Sequence, residues 1–336
     1  MLFLSGCEKK EEPLCNDSDP LFSHSDFPIG VAVDLDLLKF NQTYRSIVVN
    51  QFNSITPANI FKAYYIHPSE TYFDWSESDY LVNFCMQNGK RLHGHVLIWH
   101  NQLPDWMRNF QGTTDQWEAM MKNHIQTIVC RYKGKIKGWD VVNEAFNEDG
   151  TLRKTVWQEH IGNDYLEKAF IYAREADPDA ILFYNDFNLE INPTKLNAVL
   201  KFLNNLKSKG ILIDGLGIQM HIGDNYPGIN NIAGAIYKAQ KNDLHVHLSE
   251  IDISLNVFGH KTAVTGDMLN SQNQTLSLIT QNYKQTNQQL RYGMTFWGVG
   301  DQDSWIRSYY NRLDWPLLYD DNYLPKPCYC GLKKSL

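Results

Sequence analysis

Along this chain, short runs rich in β-branched and aromatic residues alternate with stretches of helical periodicity, and eight such runs can be counted. They are Pro28–Asp34, Phe52–Thr56, Arg91–Trp99, Ile136–Glu144, Ala180–Asp186, Gly215–His221, Val246–Ile253 and Tyr292–Gly298. Strands that alternate with helices imply a parallel sheet, and eight strand–helix units are what closes a (β/α)8 TIM barrel. The helices between them have legible ends. Ser76 is placed to cap one that carries Tyr80, Leu81, Phe84 and Cys85, and Gly89 closes it. Others are predicted over 115–132, 164–176 and 194–208. The second of these stops before Asp177-Pro178, because proline disfavours helix in the residue that precedes it. Residues 21–336 are therefore expected to form one barrel domain.

In such a barrel the C-terminal strand ends carry the chemistry. Here they finish in Asn143-Glu144, Asn185-Asp186, Gln219-Met220-His221, Glu250-Ile251-Asp252 and Trp297. Retaining cleavage of a glycosidic bond needs two carboxyls about 5 to 5.5 Å apart, one protonated and one ionised. Glu144 on strand 4 and Glu250 on strand 7 are the pair. Either alone reads equally well as an ordinary strand-end carboxylate; their joint placement among polar neighbours carries the argument. Period-two alternation puts Glu250 and Asp252 on one face, and likewise Gln219 and His221. His221 can then bond both acids of strand 7 and hold Glu250 oriented and ionised. Gln219 can meet the sugar or the nucleophile. Asn143 can bond the 2-hydroxyl of the reacting sugar, a contact that strengthens in the transition state. The charge of Glu250 would keep Glu144 protonated for the first step.

The net charge of −7 provides no basic stripe, which excludes a nucleic-acid partner. Nine Trp and 18 Tyr are more than a core requires, and some of these rings suit carbohydrate faces. The opening Leu4-Ser5-Gly6-Cys7 resembles the lipidation box of bacterial lipoproteins. On that likeness Cys7 carries lipid, residues 1–20 form a signal remnant and polar tether, and the protein is anchored in a bacterial envelope, at the outer membrane or cell surface. No run spans a bilayer. Six cysteines show no zinc-ribbon or redox spacing, and Cys328 and Cys330 are too close to bridge each other.

The stretch Gly94-His95-Val96-Leu97-Ile98-Trp99-His100-Asn101-Gln102-Leu103-Pro104-Asp105-Trp106 resembles the strand-3 signature of glycoside hydrolase family 10, the xylanases. Trp139-Asp140-Val141-Val142-Asn143-Glu144-Ala145 resembles its acid/base motif and Ser249-Glu250-Ile251-Asp252 its nucleophile motif. Gln219-Met220-His221, Trp297-Gly298-Val299 with Trp305, and Pro316-Leu317-Leu318-Tyr319-Asp320 follow in the family's order. The resemblance implies a monomeric, cofactor-free and metal-free retaining endo-β-1,4-xylanase. It also implies that Asn59 and Lys62 contact sugars on the non-reducing side, that His95, Gln102, Trp297 and Trp305 line the cleft, and that Trp99 supports the reacting sugar. Ala58 and Ala63 depart from the family, which usually has Glu and Trp there, so the sugar site beyond the reacting unit is expected to be weakened or roomier.

Three rivals stand beside this reading. His93-Gly94-His95 and His245-Val246-His247 have the spacing of barrel metallohydrolases but lack further ligands at other strand ends. A related retaining β-glycanase acting on cellulose, mannan or mixed-linkage glucan would share the barrel and the paired Glu. A non-catalytic xylan-binding surface lipoprotein would have no need of both carboxyls.

Overall fold

The computed structural model describes residues 18–336. Cys7 and most of the expected tether lie outside the described residues. Nine strands run in chain order: β1 (Ile29–Val33), β2 (Ser54–Pro57), β3 (Arg91–Gly94), β4 (Gly138–Asn143), β5 (Ile181–Asp186), β6 (Gly215–Ile218), β7 (His221–Gly223), β8 (His245–Ser254) and β9 (Arg291–Phe296). Strands β1 to β6 pair in sequence order, β1 also pairs with β9, and β9 with β8. A β6–β8 pairing closes the ring. All of these pairings are parallel, so eight strands form a closed barrel with helices between them.

Two expected strands differ from the sequence reading. The run 215–221 divides into β6 and β7, because Met220 takes a left-handed backbone at φ 66° and turns the chain out of the ladder. β7 then pairs only with the upper end of β8, His221 opposite Asp252. Regular pairing of the run from Arg91 stops at Gly94, but the run stays beside β4 beyond it, the Leu97 N–H donating to Asp140 O at 3.1 Å and the Ile98 N–H to Val141 O at 3.0 Å. His124 on the helix Thr114–Arg131 takes the carbonyl of Leu97 at 3.0 Å, a group a neighbouring strand would otherwise claim. The helix over 76–87 also starts differently: Asp74 accepts from both the backbone N–H and the hydroxyl of Ser76, so Ser76 is its first residue and not its cap.

The barrel is filled, as packed parallel barrels are. His93, Phe183, His247 and Tyr292, from β3, β5, β8 and β9, meet across the interior with ring centroids 4.5 to 6.0 Å apart. Gly215 makes room for this layer, since a Cβ there would lie 2.1 Å from the Phe183 ring. The helix Thr114–Arg131, opened by a capping box between Thr113 and Gln116, buries Trp117, Met121, Ile125 and Ile128 against the outside of the barrel. Trp117, Trp139 and Trp157 are core, whereas Trp99, Trp297 and Trp305 stay half-buried at the barrel mouth. Cys328 is free while Cys330 is disulfide-bonded, so the two do not bridge each other. No helix among the described residues is long and apolar enough to cross a membrane.

Candidate active site

β4 ends at Asn143, and Glu144 follows with a left-handed backbone at φ 56°. Its main chain is clamped on both sides. The N–H donates to Asn185 O at 2.9 Å, and the carbonyl accepts from Arg153 Nε at 3.0 Å. The next amide, of Ala145, donates to the hydroxyl of Tyr184, which in turn donates to the buried Asp186. The carboxyl thus leaves a fixed stem. Glu144 Oε1 accepts from Asn143 Nδ2 at 3.1 Å and from Gln219 Nε2 at 3.0 Å, while Oε2 accepts from Trp99 Nε1 at 2.9 Å. Gln219 therefore reaches Glu144, not the carboxyl on β8 that the sequence offered as one of its two partners. Gln219 lies just past the end of β6, and its Nε2 also reaches Asn143 Oδ1 at 3.3 Å, so its side chain lies toward β4.

Glu250 lies on β8, buried. Its Oε1 accepts from Asn185 Nδ2 at 2.7 Å and its Oε2 faces His221 Nε2 at 3.3 Å. His221 Nδ1 donates to Asp252 Oδ2 at 2.8 Å, and Trp305 Nε1 donates to the same oxygen at 2.8 Å. Burial opposes a charge on His221, but Asp252 and Glu250 outweigh it and raise the imidazole well above its ordinary value. Burial likewise pushes the Glu250 carboxyl up, yet the bond from His221 and the charges of His95 and His221 prevail and lower it. The result is an imidazolium donating from both nitrogens to two carboxylates.

Lys62 and Asn59 come together on the loop after β2, Nζ donating to Oδ1 at 3.1 Å. Lys62 also lies 5.0 Å from the ring of Trp99. Burial lowers its ammonium to about 8, against the opposing pull of Glu250 and Glu144. One buried cation thus feels both carboxyls. Gln102 joins through its backbone, its carbonyl accepting from Tyr64 N at 2.8 Å. Trp297 packs edge-on against His95, centroids 5.3 Å apart. Ala58 is half-buried, Ala63 is buried, and the neighbouring Tyr64 and Tyr65 are exposed.

Two residues in this network carried no role in the sequence reading. Asn185 donates to Asn143 Oδ1 at 2.9 Å as well as to Glu250, and its own Oδ1 accepts from Ser249 Oγ at 2.6 Å. It stands opposite Asn143 in the β4–β5 register. Gly217 leaves the space it occupies: a Cβ there would fall 2.1 Å from Asn185 Oδ1. The signal available was its place at a strand end. Asp140, buried on β4, lies 2.8 Å from His95 Nδ1 and 3.1 Å from His93 Nε2. Burial raises its carboxyl, but the two imidazoles more than reverse this and lower it. Both histidines of the His93-Gly94-His95 run at the end of β3 thus face the Asp140 carboxylate, His93 also meets the hydroxyl of Tyr292 at 3.0 Å, and His247 meets that of Thr295 at 2.7 Å.

A profile described as glycosyl hydrolase family 10 matches residues 20–335. Endo-1,4-beta-xylanase B of Thermotoga neapolitana is 34% identical over 342 residues, which cover 100% of this chain and 96% of that protein. Beta-1,4-xylanase of Dictyoglomus thermophilum is 38% identical over 323 residues, covering 92% of this chain and 88% of that one. Among solved structures, a variant of xylanase 10C from Cellvibrio japonicus in complex with xylopentaose superposes with a TM-score of 0.91 at 33% identity. The match covers 94% of this chain and 69% of that one.

Proposed function

Since the chain belongs to glycosyl hydrolase family 10, we propose that it hydrolyses the β-1,4-xylan backbone internally and with retention, Glu144 serving as acid/base and Glu250 as nucleophile. The relatives matched over almost their whole length are xylanases, which supports the substrate. One observation carries the roles. The two carboxyls are joined by an unbroken path of hydrogen bonds, from Glu250 through Asn185 and Asn143 to Glu144.

The chemistry follows from how each acid is held. Both amides that reach Glu144 end on Oε1, so Oε2, which meets only Trp99, is the oxygen free to carry a proton to the leaving glycosidic oxygen. Glu250, kept ionised by the imidazolium of His221, attacks the anomeric carbon and forms a glycosyl ester as the bond to the leaving oxygen breaks. Glu144, now deprotonated, takes a proton from water, which attacks the same carbon and releases Glu250. Asp252 fixes the ring of His221 and therefore the direction of its second N–H. Lys62 and Asn59 reach sugar hydroxyls beside the reacting unit, and Trp99 and Trp297 wall the space between.

Reducing ends released from glucuronoxylan and arabinoxylan, with the first-formed anomer read by NMR, test this. The wild type is expected to release xylo-oligosaccharides as the β-anomer, and Glu144→Ala and Glu250→Ala to release almost none. A wild-type protein that binds xylan but releases nothing would overturn the reading in favour of a carbohydrate-binding role.

A further inference from the structure

The short helix Trp305–Tyr310 leaves the barrel mouth after β9. The indole of Trp305 at its head is tied to Asp252 and lies 5.1 Å from the ring of His221, so it borders the groups that orient Glu250. Two rings continue outward from it. Tyr309 and Tyr310 are centred 5.5 and 5.8 Å from Trp305 and 4.9 Å from each other. Both face solvent, 73% and 51% exposed. Single exposed aromatics are common on protein surfaces, but a contiguous cluster of three running out of a cleft marks a binding surface.

The cluster is also held in place. The guanidinium of Arg312 covers one face of Tyr310 at 4.5 Å, and Arg312 is itself fastened to the carbonyl of Val257 and the carboxylate of Asp314. Tyr310 is thereby fixed on one side and open on the other, which lowers the ordering penalty of a stacking contact. The rings are not coplanar. Tyr309 and Tyr310 incline by 56° and 48° to Trp305 and by 83° to each other. A flat ribbon such as a cellulose chain stacks best on coplanar platforms. A xylan chain turns its sugar faces from one unit to the next, and inclined rings match that turn.

We propose that Tyr309 and Tyr310 carry the substrate track outward from Trp305, as an additional stacking subsite selective for a twisted β-1,4-xylan chain. Apolar C–H faces of successive xylose units meet the exposed tyrosine faces, and the rings alone carry the contact. The proposal rests on the xylan-cleaving reading above, and the experiment separates the two.

The double variant Tyr309→Ala/Tyr310→Ala is compared with wild type and with Tyr309→Phe/Tyr310→Phe, on xylotriose through xylohexaose, on an aryl xylobioside, and in native gels containing soluble xylan or carboxymethyl cellulose. The alanine variant is expected to lose about two- to tenfold in kcat/KM on xylohexaose. Its rate on the aryl xylobioside stays unchanged. Its retardation by xylan weakens, and that by carboxymethyl cellulose does not move. The phenylalanine variant keeps both the chain-length preference and the retardation. An alanine variant with wild-type chain-length preference and wild-type retardation overturns the subsite while leaving the xylanase intact. A wild type that cleaves no xylan overturns the function instead, and the gels then decide the subsite alone: retardation lost on removing the rings supports it, and equal retardation refutes it.

Discussion

Asn185 holds Glu250 directly, its Nδ2 donating to Oε1 at 2.7 Å, and the same nitrogen reaches Asn143, whose amide supports Glu144. One side chain on β5 therefore sets the position of one proposed catalytic carboxyl and steadies the neighbour of the other.

Replacing Asn185 with alanine removes a buried hydrogen bond to an ionised group, worth about 1.5 to 3 kcal/mol. A fall of roughly ten- to hundredfold in kcat is expected, with KM nearly unmoved, because the bond aims the nucleophile and strengthens as charge returns to Glu250 when the glycosyl ester breaks. Gly217→Ala should produce a smaller version of the same defect by pushing the Asn185 side chain aside. Steady-state kinetics on xylohexaose decide the point; a variant changed only in KM would assign Asn185 to substrate binding.

His221 is expected to govern the acidic limb of activity. Its raised pKa keeps it charged through neutrality, and that charge holds the Glu250 carboxyl low. In His221→Asn the cation is gone, burial prevails, and the Glu250 carboxyl rises. The acidic limb of the kcat/KM profile is therefore expected to move to higher pH, while the alkaline limb keeps its place. An acidic limb unmoved by the substitution would show that another group sets it.

Ala58 stands where family resemblance leads one to expect glutamate, next to the Asn59–Lys62 pair. Ala58→Glu supplies a carboxylate for a sugar hydroxyl, a bond worth about 0.5 to 1.5 kcal/mol. Turnover of linear xylotetraose should improve about two- to tenfold in kcat/KM. Branched oligosaccharides carrying a substituent on that unit should gain nothing or lose. Equal gains on both substrates would mean the wild-type site has no extra room.

A buried histidine pair links pH to stability. His67 Nδ1 and His124 Nδ1 lie 3.0 Å apart, and burial lowers the two imidazoles to about 4 and about 3. Both are neutral when folded, yet protonate near the ordinary 6.5 when unfolded. The unfolded chain binds more protons in that window, so their contribution is complete above about 6.5 and is lost as pH falls toward 4. His124→Leu carries no such titration at its position. It should be less stable than wild type at about pH 7, and the gap in Tm should narrow by about pH 5. A constant gap over that range would show that the pair does not titrate as described.

The barrel was legible because its signal is repetition: eight apolar runs, each followed by a helix, leave few other closures. Where the reading slipped, a tertiary contact had replaced a local one. Val96, Leu97 and Ile98 look like a continuing strand, and Leu97 and Ile98 do keep backbone bonds to β4, but His124, 27 residues further on, captures the carbonyl of Leu97. Met220 reads as one more apolar residue in a run and is the point where β6 turns out. Of the site, the strand ends indicated which side chains gather at the mouth; the connections among them were not readable. The reach of Gln219 crosses from the end of β6 to Glu144 after β4, and the role of Asn185 depends on the β4–β5 register and on the missing side chain of Gly217. Period-two alternation assigns a face and says nothing of which neighbour lies across it.

Glu144 occupies a backbone shape that L-residues other than asparagine and aspartate seldom adopt. Its carboxyl is consequently aimed by main-chain torsion, braced by Asn185 and Arg153, more than by any choice among side-chain rotamers. Glycine would relieve that torsion and alanine would not, so the fold would be calmest with no side chain there at all. The proposed proton donor sits at a spot where selection for sturdiness and selection for turnover pull in opposite directions.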